Sequence, residues 1–156
     1  MDLNDDLKNR CLYQLKGTSK SILLSEYLSN KNSILFGTNT FWEGIDLPND
    51  KLEVLIIYKL PFSNPSDPYV KSNINYYQSR NLDAFTEYQL QDTILKLRQG
   101  FGRLIRSYSD MGVCIITDQR IATKRYGMHI INSLPVEPNF YSNPYVIIDC
   151  IKNFLI

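Results

Sequence analysis

Cysteine, histidine and net charge are all scarce in this chain of 156 residues. Its three cysteines, Cys11, Cys114 and Cys150, are odd in number and far apart. They form neither a disulfide framework nor a metal-ligand spacing, and read as reduced, mostly buried thiols of a cytoplasmic protein. The single histidine, His129, has no partner motif and reads as structural. A net charge of +1 excludes a global field that would announce nucleic acid, so any basic surface must be local. No apolar run approaches the roughly 18 residues of a membrane span, and no membrane partner is expected. The acidic, polar start Met1-Asp2-Leu3-Asn4-Asp5-Asp6 is not a signal peptide. There is no internal repeat and no low-complexity tract.

What is present is ordinary for a globular protein: 44% hydrophobic and 21% charged residues, in a length that suits one domain with a substantial core. Residues up to about Arg10 read as a helix end or a terminus. Leu12 to Leu15 predicts a short strand closed by Lys16-Gly17, and Thr18 or Ser19 an N-cap for a helix to Leu28 with Ile22, Leu23 and Tyr27 inward. Ser33 to Gly37 is a short apolar strand. Leu52 to Tyr58 and Gly112 to Asp118 are nearly continuous apolar runs, the pattern of strands buried on both faces in a parallel sheet. Asp67 and Pro68 mark the start of a helix to about Arg80 with Val70, Ile74 and Tyr77 inward. Leu90 to Arg106 and Ile121 to Leu134 read as further helices, while Tyr145 to Ile156 fits either a helix or a strand. Strands alternating with helices define an α/β class with a mainly parallel sheet.

The segment Leu95 to Arg106 carries the strongest signal. Projected as a helix at roughly 100° per residue, Gln99, Arg103 and Arg106 stand at i, i+4 and i+7, within about 60° of one another. Ile94, Leu97, Phe101, Leu104 and Ile105 gather opposite, as on a core-packed helix. A solvated polar face would look the same. The glycines argue for more, because Gly100 and Gly102 each cost on the order of 1 kcal/mol in a helix interior. Close approach of another backbone or a ligand is the usual reason for such a glycine. Guanidinium forks bind phosphate in a bidentate way. The face therefore suits a polyphosphate or a nucleic-acid backbone.

A second chemical signal follows the strand at Ile34 to Phe36. Thr38-Asn39-Thr40-Phe41-Trp42-Glu43-Gly44-Ile45-Asp46-Leu47-Pro48 brings hydroxyls, an amide, the only tryptophan and two carboxylates to a strand end, where ligands sit in an open α/β sheet. A connecting loop whose Phe41 and Trp42 cap the core is the plainer reading.

Phe41 to Pro48 resembles motif V of the DinG/XPD group of superfamily 2 helicases, and Gln99 to Arg106 resembles their motif VI. Lys59-Leu60-Pro61-Phe62 with Pro65-Ser66-Asp67-Pro68, and Asp118-Gln119-Arg120 after the next strand, are similar to the DinG branch in particular. The similarity runs from about Leu12 to Pro135. It implies a RecA-like fold, here a single second motor domain over residues 1–156. Residues 1–11 would be the remnant of a preceding helix, and the sheet would lack its first strand. It also implies that Arg103 and Arg106 are arginine fingers on the transferring γ-phosphate of ATP and that Gln99 senses it. Gly44 and Asp46 would lie by the nucleotide. Thr38, Asn39, Thr40 and Trp42 would approach single-stranded or forked DNA: hydroxyls and amides hold phosphates in register, and an aromatic offers bases a stacking face.

The departures from the group define the expected partner. No Gly-x-x-x-x-Gly-Lys-[Ser/Thr] loop occurs, so the chain has no phosphate cradle of its own. There is no Asp-Glu-x-His box, no four-cysteine set for an iron–sulfur cluster and no exonuclease domain. The resemblance implies that the Mg²⁺ ligands come from the first RecA-like domain of the same protein, with this chain inactive alone and read as a fragment or a truncated reading frame. The alternative is a non-catalytic nucleic-acid-binding module derived from the helicase fold, using Lys96, Arg98, Arg103, Arg106, Lys124 and Arg125 on phosphates.

Overall fold

The computed structural model describes residues 5–38, 41, 47 and 52–155, which group into two compact units, Met1–Leu47 and Pro48–Ile156. The first opens with a short helix α1 (Asp5–Asn9) and a strand β1 (Cys11–Tyr13). After Gly17, whose φ of 89° makes the turn, comes helix α2 (Lys20–Ser29), followed by strand β2 (Ile34–Phe36). The expected strand forms one residue early. It pairs in parallel with β2, Cys11 opposite Ile34 and Tyr13 opposite Phe36. The last pair stacks its rings at 5.0 Å, the kind of cross-strand contact that sets register.

Ser19 is the N-cap of α2 as expected, although its hydroxyl bonds Ser21 Oγ rather than a helix N–H. Of the residues expected inward, Leu23 is buried, but Ile22 is 67% exposed. Three consecutive apolar residues, Ile22, Leu23 and Leu24, sweep about 200° of a helix and cannot share one face. The Asn30-Lys31-Asn32 turn holds Asn32 at φ 60°, a conformation that asparagine visits more readily than most residues.

The second unit is built on strands β3 (Val54–Ile57) and β4 (Val113–Ile116), parallel and in register from Val54 opposite Val113 to Ile57 opposite Ile116. Between them run helix α3 (Pro68–Ser79), one π-helical turn (Phe85–Gln89) and helix α4 (Leu90–Leu104). Helix α3 starts where the sequence places it. Asp67 Oδ1 accepts from the N–H groups of Tyr69 (2.9 Å) and Val70 (3.2 Å), and Pro68 takes the first helical position. Asp83 does the same for the π turn, accepting from Phe85 N (3.2 Å) and Thr86 Oγ1 (2.6 Å), bonds that hold its carboxyl below its ordinary value.

Helix α4 packs against both β3 and β4. Leu90 and Leu97 are buried to 1% and 0% exposure, with Phe101 and Leu104 beside them on the same stripe. Thr93, also fully buried, satisfies its hydroxyl by donating to Gln89 O at 2.8 Å, which avoids the penalty of a lone buried polar group. The expectation that β3 is buried on both faces is corrected: Ile57 is 2% exposed and Ile56 60%. β4 is half-buried at every position, from Val113 to Ile116.

Past β4, the single helix expected from Ile121 to Leu134 is two: α5 (Arg120–Thr123) and α6 (Gly127–Ser133). The break is steric and local. Lys124 turns extended (φ −100°, ψ 146°) and Gly127 donates to its carbonyl at 2.9 Å. That brings Gly127 so close to Ile121 that a Cβ there would stand 2.8 Å from its carbonyl carbon. The last segment is a helix, α7 (Pro144–Leu155). Among the described residues no helix is long and apolar enough to cross a membrane.

Candidate functional site

Helix α4 separates its two kinds of residue as the sequence projection requires. Leu97, Gly100, Phe101 and Leu104 are buried, while Gln99 is exposed and Arg103, one turn on, is half-buried. The two glycines differ. Gly100 is buried on the core side. Gly102 is exposed, and a methyl group there would meet nothing within 4 Å among the described residues. The core therefore does not explain Gly102.

Arg106 is placed differently from the projection. Helix α4 stops at Leu104, and Ile105 is extended at φ −122° and ψ 110°. Arg106 thus sits just beyond the helix rather than two turns along its face. Its guanidinium Nη2 is buried. Ile105, expected in the core, is 42% exposed for the same reason. The helix end is closed by Asp110, whose Oδ2 accepts from the N–H groups of Arg106 and Ser107, each at 2.8 Å. Its Oδ1 accepts from Ser107 Oγ at 2.7 Å. These bonds, that from the Ser107 hydroxyl foremost, hold the Asp110 carboxyl below its ordinary value.

Two networks lie beside this helix that sequence reasoning did not assemble. At the carboxyl ends of β3 and β4, Asp118 Oδ2 accepts from the Leu60 N–H at 2.8 Å. The Arg120 guanidinium grips the same carboxylate, Nη2 to Oδ2 at 2.6 Å and Nε to Oδ1 at 3.0 Å. Arg120 also lies over the Phe62 ring at 5.3 Å, and Phe62 packs on Tyr126 at 5.5 Å and Phe85 at 5.8 Å. Lys59-Leu60-Pro61-Phe62 and Asp118-Gln119-Arg120, read from the sequence as separate marks of the DinG branch, are thus two halves of one clamp. The second network joins Ser63 Oγ to Asp92 Oδ2 at 2.7 Å, with Lys96 Nζ donating to Asp92 at 2.8 Å and to the Ser63 hydroxyl. The exposed Arg98 donates to Ser133 O at 3.1 Å. Two of the cations offered to phosphate under the binding-module alternative are therefore engaged inside the fold.

The clamp has a pH signature. The Arg120 guanidinium, with help from the Leu60 and Arg120 N–H groups, holds the Asp118 carboxyl down from 3.8 to about 2 against the effect of burial. A carboxylate with a lowered folded-state pKa contributes its full stabilisation above its ordinary value and loses it as the pH falls through about 2. With Arg120 40% exposed, the pair is worth on the order of 1–2 kcal/mol. Asp118→Asn should lower the urea unfolding free energy by about that amount at neutral pH, and the gap from wild type should close between pH 4 and 2. A gap unchanged across that range would show that the charge is not its source.

Of the residues proposed for DNA, Thr38 is exposed. Its N–H and hydroxyl both donate to Gln14 Oε1, at 2.9 and 3.1 Å. Asn39, Thr40, Trp42, Gly44 and Asp46 lie outside the described residues. Among the described residues no three His, Cys, Asp or Glu side chains converge as a metal set. All three cysteines are free thiols. Burial pushes the Cys114 thiol up to about 12, so it stays protonated and unreactive. Cys150 is exposed, contrary to expectation.

The model of the helicase C-terminal domain family matches residues 2–137, and the chain belongs to that family, whose fold is the RecA-like α/β class expected from the sequence. It is 44% identical over 121 residues to the ATP-dependent DNA helicase YoaA of Escherichia coli K12, covering 78% of this chain and 19% of that protein. It is 41% identical to the ATP-dependent DNA helicase DinG of Photobacterium profundum (75% and 18%) and 37% identical to the 3'-5' exonuclease DinG of Bacillus subtilis (78% and 13%). The chain thus spans less than a fifth of the length of these relatives.

Proposed function

We propose that this chain is the second motor domain of a DinG-type ATP-dependent DNA helicase, completing a nucleotide site whose other half lies in a first RecA-like domain. The observation that carries the reading is the outer side of α4. Gln99, Gly102 and Arg103 share it, Arg106 follows at its end, and Gly102 leaves an opening that no described residue fills. A helix that gives up a side chain there, with Arg103 on the same side and Arg106 following its end, suits a polyphosphate brought in from outside the chain.

The residues fit ATP. Arg103 and Arg106 would hold the γ-phosphate oxygens and stabilise the charge that develops on them, and Gln99 would sense the phosphate. ATP with Mg²⁺, whose ligands come from the first domain, supplies the phosphoryl group that is cleaved. Gly44 and Asp46 would border the nucleotide, while Thr38, Asn39, Thr40 and Trp42 would contact the DNA strand.

Gly102→Ala tests the reading from two sides. Alone, the exchange should leave folding intact or favour it by up to about 0.5–1 kcal/mol, since alanine is the better helix former and meets nothing. In the full-length protein it should slow DNA-stimulated ATP hydrolysis at least about tenfold, because a methyl group would displace the nucleotide. Turnover at the wild-type level would overturn the assignment of this face.

A further inference from the structure

We infer that Asp110 is the positioning residue for Arg106, and that its carboxylate, rather than the helix, sets where the guanidinium stands. This rests on the reading of Arg106 as the finger of a shared nucleotide site. Helix α4 ends at Leu104, so the regular hydrogen-bond ladder that fixes Gln99 and Arg103 does not extend to Arg106. The backbone at Arg106 is instead tied four residues on. Asp110 Oδ2 takes its N–H and that of Ser107, both at 2.8 Å, Oδ1 takes the Ser107 hydroxyl at 2.7 Å, and the Asp110 N–H returns to Ser107 O at 3.2 Å. One side chain thereby closes a complete turn around the residue that carries the guanidinium. Next in the chain, Gly112 packs against Leu104: a Cβ there would lie 2.7 Å from Leu104 Cγ. Two residues past Asp110 the chain thus runs against the end of α4.

An arginine finger works only if its charge is already in place when the phosphoryl group moves, because preorganised charge needs no reorganisation at that moment. Loss of the Asp110 carboxylate in the alanine variant releases the Arg106 backbone and also removes a negative charge that acts on its guanidinium, whereas asparagine removes the charge alone. The cost should therefore appear in kcat and not in nucleotide binding. The geometry also separates alanine from asparagine. A carboxamide oxygen at the Oδ2 position accepts the same two N–H groups, and its NH₂ can donate to Ser107 Oγ.

The test uses the full-length protein. Asp110→Ala should lower kcat for DNA-stimulated ATP hydrolysis about tenfold or more with KM for ATP changed by less than about twofold. Asp110→Asn should stay within about threefold of wild type, since it keeps both backbone hydrogen bonds. The Arg106→Ala, Asp110→Ala double variant should be no slower than Arg106→Ala, because residues acting as a unit are not additive. Hydrogen exchange across residues 105–110 should quicken in Asp110→Ala and not in Asp110→Asn. Quickened exchange with unchanged kcat would overturn the positioning role while leaving the finger in place. So would a double variant slower than Arg106→Ala, or an asparagine variant as slow as alanine. An Arg106→Ala variant with normal turnover would instead remove the finger reading itself, and the role of Asp110 with it.

Discussion

Arg106→Ala is expected to lower DNA-stimulated ATP hydrolysis of the full-length protein by about three orders of magnitude, the low end of what arginine fingers contribute. The loss should fall on kcat, since the finger matters most when charge has developed on the phosphoryl oxygens. Folding should survive, because the Arg106 N–H still donates to Asp110 in the variant. Lysine should rescue little: a point charge on a flexible stem does not reproduce a planar two-donor fork. Steady-state hydrolysis at saturating DNA, with a urea unfolding curve of each variant, measures both halves. Turnover close to wild type would defeat the assignment. If turnover held while salt-sensitive binding to single strands weakened, the non-catalytic binding module would be the better description.

The largest expected effect on folding lies elsewhere, at Gly127. A Cβ there overlaps the carbonyl oxygen of Ile121 and would stand 2.8 Å from its carbonyl carbon. The obstacle is backbone, which cannot swing aside as a side-chain end can. Ile121 is itself 8% exposed and sits one residue after Arg120, so relief would have to move α5 and disturb the clamp on Asp118. Overpacking of this kind costs about 1–3 kcal/mol, and the upper end is expected here. Gly127→Ala should therefore shift the urea midpoint markedly down with little change in slope. Placed beside Gly102→Ala, the comparison is direct: one glycine is required by packing, and the other has no neighbour within reach among the described residues. A Gly127→Ala protein as stable as wild type would contradict the close approach of Gly127 to Ile121.

Local chemistry was legible in the sequence where the residue types themselves announce it. Asp67 and Pro68 start α3 because a carboxylate accepts from the next N–H groups and proline suits the first turn. The apolar stripe of α4 follows from spacing alone. What escaped depended on contacts made across the chain or on side chains that end elements. The end of α4 is set by Asp110, and periodicity continues through Ile105 and Arg106 as though the helix did too. The break between α5 and α6 falls at Lys124, whose extended backbone is not registered by hydrophobic pattern. The clamp requires knowing that β3 and β4 are neighbours, after which Asp118 and Leu60 must meet. Of the candidate residues, spacing singled out Gln99, Arg103 and Arg106, but α4 ends at Leu104 and only the first two stand on it, while Asp110 carried no signal beyond being an acid near a turn.

The parallel pairing of β3 and β4 also has a kinetic consequence. Leu60 and Asp118 are 58 residues apart, and parallel strands cannot be joined by a tight turn. The loop between them must be closed before their contact stabilises anything, and such non-local pairings are slow to form. The helices α3 and α4, made of local contacts, can be ordered first and shorten the search. The carboxylate clamp is then expected to lock after the main barrier. Its loss should leave the refolding rate nearly unchanged and appear as faster unfolding, so the clamp governs how long the domain stays folded rather than how quickly it gets there.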